Sequence, residues 1–346
     1  MRRASSALAA SAAGLLVLLA SPRDARAFCR TMTCPLPPDF SPGDTCVPAD
    51  FASFCGSLDP PVVPLPVWWR NACVSYDLQR NASRQIAYDT VSTIIAAAFG
   101  KWTATSCAGS TGDGGAGAGG RVSIDVRDLG PVDCDQVQYN SDQGNQHVIV
   151  FRDDTWPHDD PNNTLALTTV TFNPDTGEIY DADMEINSTI PLTAGDPVPA
   201  DGYDFESIVT HETGHFLGMA HSGDTHATMF AHYTQGSTVM RSLTADDVAG
   251  ICTIYPPDFT RTVDPSVATG GSVMEDACDP TPRHGFSTSC ASAGAGSSKG
   301  CAVGGDRAPA DAADGEASGG AAALGALAIA GVVAGRRRRP RGAPHS

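Results

Sequence analysis

The chain has 346 residues, with 39 acidic against 22 basic side chains for a formal net charge of −17, and 11 cysteines. A surface this acidic repels phosphate backbones and anionic membranes, which argues against nucleic acid as a partner. The length allows one catalytic domain of ordinary size with appendages, and the cysteine content points to an oxidising compartment.

In chain order, Arg2 and Arg3, the apolar run 7–20 and Ala25-Arg26-Ala27 have the layout of a secretory signal peptide over 1–27, with the mature chain beginning near Phe28. Residues 28–66 are rich in Cys and Pro and have little periodicity, so a small disulfide-held N-terminal extension is expected. A catalytic domain is expected over 67–257. Its first strand is predicted over 68–78, where Val74, Tyr76 and Leu78 alternate. A helix is predicted over 83–102, where Val91, Ile94, Ile95, Ala98 and Trp102 recur at helical spacing. The Gly-rich stretch 109–120 lacks the strand and helix context of a phosphate loop. Strands are predicted over 122–126 and 147–151, and a hairpin over 162–187 turning at Asn173-Pro174-Asp175-Thr176-Gly177.

Asp204 then opens a helix whose apolar stripe is Phe205, Ile208, Val209, Phe216 and Leu217. That helix carries His211-Glu212-Thr213-Gly214-His215, followed by Gly218 and His221. Histidines at i and i+4 share one helical face and can reach one metal ion. Gly218 tolerates the backbone conformation that ends the helix and brings His221 round as a third ligand. Three protein ligands leave a fourth position open, which is the catalytic zinc arrangement, and Glu212 is spaced to hold a water at that ion as general base. The site reading is therefore His211, His215 and His221 for the metal and Glu212 for catalysis. A peptidase that takes a downstream helical Glu as third ligand is disfavoured, because the first Glu after His215 is Glu275. The competing reading is a non-enzymatic cell-surface module with a vestigial zinc site. An intact Glu212 counts against it, since binding a metal alone does not need that carboxylate.

This stretch resembles the zinc signature of the metzincin metalloproteases, and its continuation is most similar to the matrixin branch. Ala227-Thr228-Met229-Phe230-Ala231-His232-Tyr233 resembles the matrixin Met-turn and the S1′ wall, with Met240 as the runner-up for the turn methionine. The segment 243–251 followed by Ile254 and Tyr255 resembles the matrixin C-terminal helix, and Thr244 with Asp247 can form its capping box. The resemblance implies an α+β metzincin fold: a twisted, mainly parallel sheet with one antiparallel edge strand that aligns substrate, a long active-site helix, and Met229 beneath the metal. It implies a zinc endopeptidase acting on a protein or peptide, and a monomer is expected. The matrixin structural zinc site is matched only by His158 and Asp160. Thr168 or Thr169 and Asp183 stand where the later histidines would be, so that site is expected to be absent or converted to calcium. Calcium is also a candidate for Asp153, Asp154, Asp159, Asp160, Asp175, Asp181 and Asp183, which crowd one loop-rich region. His147, His226 and His232 read as ordinary loop or surface residues.

Residues 258–318, rich in Gly, Ala and Ser, read as a linker with one disulfide loop through Cys278 and Cys290. Residues 319–346 hold an apolar run to Gly335 and the arginine cluster 336–339. With Cys301 upstream, this layout resembles the C-terminal sorting signals of myxobacterial surface proteins. The resemblance implies that the segment after Cys301 is removed and Cys301 is processed or lipidated. A plain C-terminal membrane anchor is the alternative. Localisation is expected to be extracellular or at the cell surface, with membrane contact only through this tail.

Overall fold

The computed structural model describes residues 28–34, 51–59, 61–108, 119–158, 160–264 and 269–291, and the strand residues 301–302, 325–330 and 333–334. The signal peptide and the arginine cluster lie outside the described residues, as do Asp159 and most of the Gly-rich loop.

Strand β1 (Cys29–Arg30) and helix α1 (Phe51–Gly56) belong to the N-terminal extension, where Cys34 is bonded to Cys55. β2 (Cys73–Gln79) leads to α2 (Tyr88–Thr103), then to the short ladder of β3 (Ser106–Cys107) with β4 (Gly120–Arg121). β5 (Asp125–Val132), β6 (Val148–Arg152), β7 (Ala166–Phe172) and β8 (Ile179–Asn187) follow. β9 (Leu192–Thr193) pairs with β10 (Tyr203–Asp204) just before α3 (Phe205–Phe216). β11 (Met219–Ala220) and β12 (His232–Tyr233) frame a turn, and a 3-10 turn over Val239–Arg241 precedes α4 (Ala245–Ile254). β13 (Thr260–Asp264) with β14 (Thr269–Ser272), then β15 (Cys301–Ala302), β16 (Gly325–Ala330) and β17 (Val333–Ala334), complete the described elements.

The architecture is α+β. The main sheet runs β15-β16-β7-β8-β6-β2-β5, with β5, β2, β6 and β8 mutually parallel and β7 antiparallel to β8. The expected antiparallel strand is present, but it is not at the edge: β16 pairs antiparallel along its outer side from Leu167 to Phe172. The β7–β8 turn closes through Gly177 N–H to the Asn173 carbonyl at 2.8 Å, and Gly177 has φ +72°, the conformation that a glycine accepts most readily.

The helix predicted over 83–102 starts only at Tyr88. Residues 83–85 are drawn into a turn instead, with the Ser83 hydroxyl and Arg84 N–H donating to Asp153 and the Gln85 N–H to Ser83 Oγ, which competes with helical bonding. The strands predicted over 68–78 and 122–126 are shifted toward their C-termini, to Cys73–Gln79 and Asp125–Val132.

α2 and α3 pack together through Trp102, whose indole donates to the Thr210 carbonyl at 2.9 Å, and through Lys101 and Glu206 at 2.6 Å. Phe99 bridges the layers, stacking on Tyr76 of β2 at 4.7 Å and meeting Phe216 of α3 edge-on at 5.1 Å. Such contacts fix where α3 lies over the sheet.

The described residues of 258–291, expected as linker, are held against the domain. Arg261 is buried and donates to the carbonyls of Trp69 and Ser123. Cys278 and Cys290 do not bridge each other; they pair with Cys73 and Cys134, tying this segment to β2 and to the loop after β5. A fourth described bridge joins Cys107 to Cys252 of α4.

Candidate metal centre

α3 begins where Asp204 caps it, its carboxylate accepting from Ser207 N–H at 3.0 Å. The other end is closed by Trp69, which donates to the Phe216 carbonyl at 2.8 Å, and by Tyr255, which donates to the Leu217 carbonyl at 2.9 Å. Gly218 has φ +93°, and a Cβ there would sit 3.0 Å from the Val67 carbonyl oxygen. The chain reverses at this point and returns His221 to the helix face.

The three histidines expected as ligands come together. Their candidate ligand atoms all lie within 4.8 Å of one another, and His211, His215 and His221 are buried. Among the described residues no other group of His, Cys, Asp or Glu is gathered in this way. Nδ1 of His211 donates to the Thr228 carbonyl at 2.7 Å, and Nδ1 of His215 to the Met219 carbonyl at 2.9 Å. These bonds fix the tautomers and leave the Nε2 lone pairs of both rings facing each other at 3.0 Å. Two lone pairs at that distance repel unless a cation sits between them, so the donor set fits a metal ion of the zinc type. Burial, with His221 nearby, lowers the His211 pKa to about 3, and burial also lowers that of His215, which keeps both imidazoles neutral for ligation.

Glu212 is fully buried beside this cluster, and its Oε2 accepts from the Thr168 hydroxyl of β7 at 2.6 Å. In the sequence Thr168 stands out only as a position where a second metal site would carry a histidine. The alternation of β7 could have pointed to it, because it faces the zinc-type helix. Met229 is fully buried, and its sulfur occupies the space that a Cβ on Gly214 would need. The turn bearing it is fastened twice. Ser222 N–H donates to the Met229 carbonyl at 2.7 Å, and the Asp247 carboxylate accepts from the N–H groups of Thr228 and Met229 at 2.9 and 3.1 Å. Met240, the runner-up for this position, is buried in the 3-10 turn before α4. Asp246 accepts from Ser222 Oγ at 2.7 Å and from Phe28 N–H at 2.9 Å, which connects the N-terminal extension to the residue after His221.

Among the described residues, the candidates for a second metal site form no such cluster. His158 donates to Glu185 at 2.7 Å, with Arg152 on the same carboxylate, and Asp160 accepts from Asn163. Asp183 accepts from Gln138 and Val148 N–H groups in a buried cluster with Asp181. Asp153 accepts from Ser83 and Ser188, while Asp154 pairs with exposed Arg84. His226 and His232 are exposed as expected, but His147 is buried, with Nδ1 donating to the Ser75 carbonyl and its ring against Trp69.

Comparison with known proteins locates the same region. The family model described as Matrixin matches residues 136–256. Human matrilysin is 38% identical over 102 residues, 30% of this chain and 35% of that protein. Human neutrophil collagenase is 30% identical over 213 residues, 62% of this chain and 38% of that protein. A probable matrix metalloproteinase 095L of Invertebrate iridescent virus 3 is 31% identical over 122 residues, 34% of this chain and 31% of that protein. The chain thus spans between 31% and 38% of the length of these relatives. From residue 136 to residue 256, with all three histidines inside, this chain is like the matrixin metalloproteases.

Proposed function

We propose that the chain is a secreted zinc endopeptidase of metzincin type, with His211, His215 and His221 as metal ligands and Glu212 as general base. The observation that carries this is the convergence of three buried imidazoles, two of them locked in tautomer by backbone carbonyls, beside a buried glutamate. Zinc held there would supply Lewis acidity to the scissile carbonyl and acidify the attacking water. Glu212 takes the proton of that water and delivers it to the leaving amine. The Thr168 hydroxyl, donating to Oε2, holds the carboxylate in one rotamer. Met229 acts as the turn methionine, a packing floor rather than a ligand.

Export is supported by the four described disulfides, which persist in oxidising compartments. Among the described residues no helix is long and apolar enough to cross a membrane. The substrate is a protein or peptide, cut inside the chain. Casein or gelatin zymography, with and without a zinc chelator, tests the proposal: a cleared band abolished by chelator is expected, and no band from folded, zinc-loaded protein would favour the non-enzymatic module.

A further inference from the structure

The side of β7 that would accept an extended peptide is already paired. β16 lies antiparallel to it in unbroken register, from Gly325 opposite Phe172 to Ala330 opposite Leu167, and Ile329 is opposite Thr168, the residue bonded to Glu212. Beyond it β17 runs parallel to β12, with Val333 opposite His232 and Ala334 opposite Tyr233. β12 follows the turn whose Thr228 carbonyl orients His211. The C-terminal tail therefore pairs both with the strand that carries Thr168 and with the strand that follows the Thr228 turn. On its outer side β16 is backed by β15, with Cys301 opposite Gly325.

The chemistry of the tail suits a reversible occupant. Residues 317–335 carry no charge and consist of Gly, Ala, Ser, Leu, Ile and Val. Backbone pairing to a sheet is indifferent to side-chain identity, while Gly and Ala are poor strand formers, so such a segment is held by its ladder and readily displaced. Its tethering in the same molecule makes up the difference, because an intramolecular strand acts at an effective concentration in the millimolar range.

We propose that strands β16 and β17 of the C-terminal tail occupy the peptide cleft of their own chain, as an intramolecular competitor for extended peptides of small, uncharged residues. For what the cleft does when it is vacated, this rests on the proteolytic reading above. The occupancy itself does not.

The test uses the full chain with Leu327→Pro and Ala328→Pro together, which removes N–H donors of both parities from β16, and Ala313→Pro as a control outside the pairing. Hydrogen exchange at the β7 amides 167–172 should be faster in the double variant than in wild type or control. If the tail fills the cleft nine-tenths of the time, the KM for an external peptide should fall about tenfold with kcat unchanged. A synthetic peptide of residues 321–335 added to the double variant should restore the protection of β7. Equal exchange and equal KM in wild type and double variant, with no protection by the peptide, would overturn the proposal. Faster exchange in a double variant that hydrolyses nothing would support the occupancy and count against the peptidase reading instead.

Discussion

Asp247 grips Thr228 from a different element: its carboxylate accepts the Thr228 N–H at 2.9 Å, and the carbonyl of the same Thr228 accepts Nδ1–H of His211 at 2.7 Å. The carboxylate that completes the capping box of α4 thereby also sets the orientation of a candidate metal ligand. Replacing it should disturb both.

Asp247→Ala leaves the Thr228 and Met229 N–H groups unsatisfied in a buried turn. The cost should be about 3 kcal/mol, or roughly 6–12 °C in Tm for a domain of this size. Zinc content after dialysis should fall with it, since His211 loses its fixed tautomer. Thermal melts and metal analysis on the same preparation check both parts, and unchanged zinc retention would separate the turn from the ligand.

Gly214 in the middle of α3 should be intolerant for a reason that helix propensity does not contain. Gly→Ala inside a helix ordinarily stabilises by about 1 kcal/mol. Here the added Cβ meets Met229 Sδ and, at 2.8 Å, the Trp102 ring, so Gly214→Ala should destabilise by about 1–3 kcal/mol. A higher Tm for the variant would contradict this packing.

Asp77 should make stability depend on pH. It is fully buried on β2, facing Asp128 of β5, Asp181 of β8 and His147, whose N–H it accepts at 3.2 Å. Burial, reinforced by Asp128, raises its pKa from 3.8 to about 7 against the lowering effect of the His147 bond. The folded state therefore holds this proton more tightly than the unfolded chain. Its contribution is fully present below about pH 3.8 and is lost as pH rises to about 7. His147, lowered by burial from 6.5 to about 4, works in the opposite sense, with stability lost as pH falls through that window. Asp77→Asn removes the first contribution and leaves that of His147, so its Tm relative to wild type should rise between pH 5 and pH 8. A constant difference across that range would remove Asp77 as the source.

Much of the site is local and was therefore legible in the sequence. The i,i+4 histidines, the Asp204 cap, the Gly218 reversal and the Thr244–Asp247 capping box each depend on residues within a few positions of one another. What sequence did not reveal lies between distant segments. Thr168 reaches Glu212 across 44 positions, and Asp247 reaches Thr228 across 19. The segment 258–291 looked like a linker because Gly, Ala and Ser carry no periodicity. It is held by one buried arginine and by cysteines 205 and 156 residues from their partners, which spacing cannot pair. The tail showed its apolar character in the sequence, but pairing to β7 is a matter of backbone register, which composition does not encode.

His221 and His226 separate a ligand from a neighbour. His221 lies in the buried cluster, whereas His226 is exposed beside Asp224. His221→Ala should lower zinc affinity by two or more orders of magnitude, and His226→Ala should leave it within about twofold. Competition against a chelating dye reads both, and equal affinities would remove His221 from the ligand set.

The most direct measurement is zinc content and peptide hydrolysis of Glu212→Ala on one purified sample. About one zinc per chain is expected, because the three histidines and the carbonyl partners of His211 and His215 are untouched, together with a loss of kcat/KM of about four orders of magnitude. Hydrolysis within tenfold of wild type by the zinc-loaded variant would contradict Glu212 as the base.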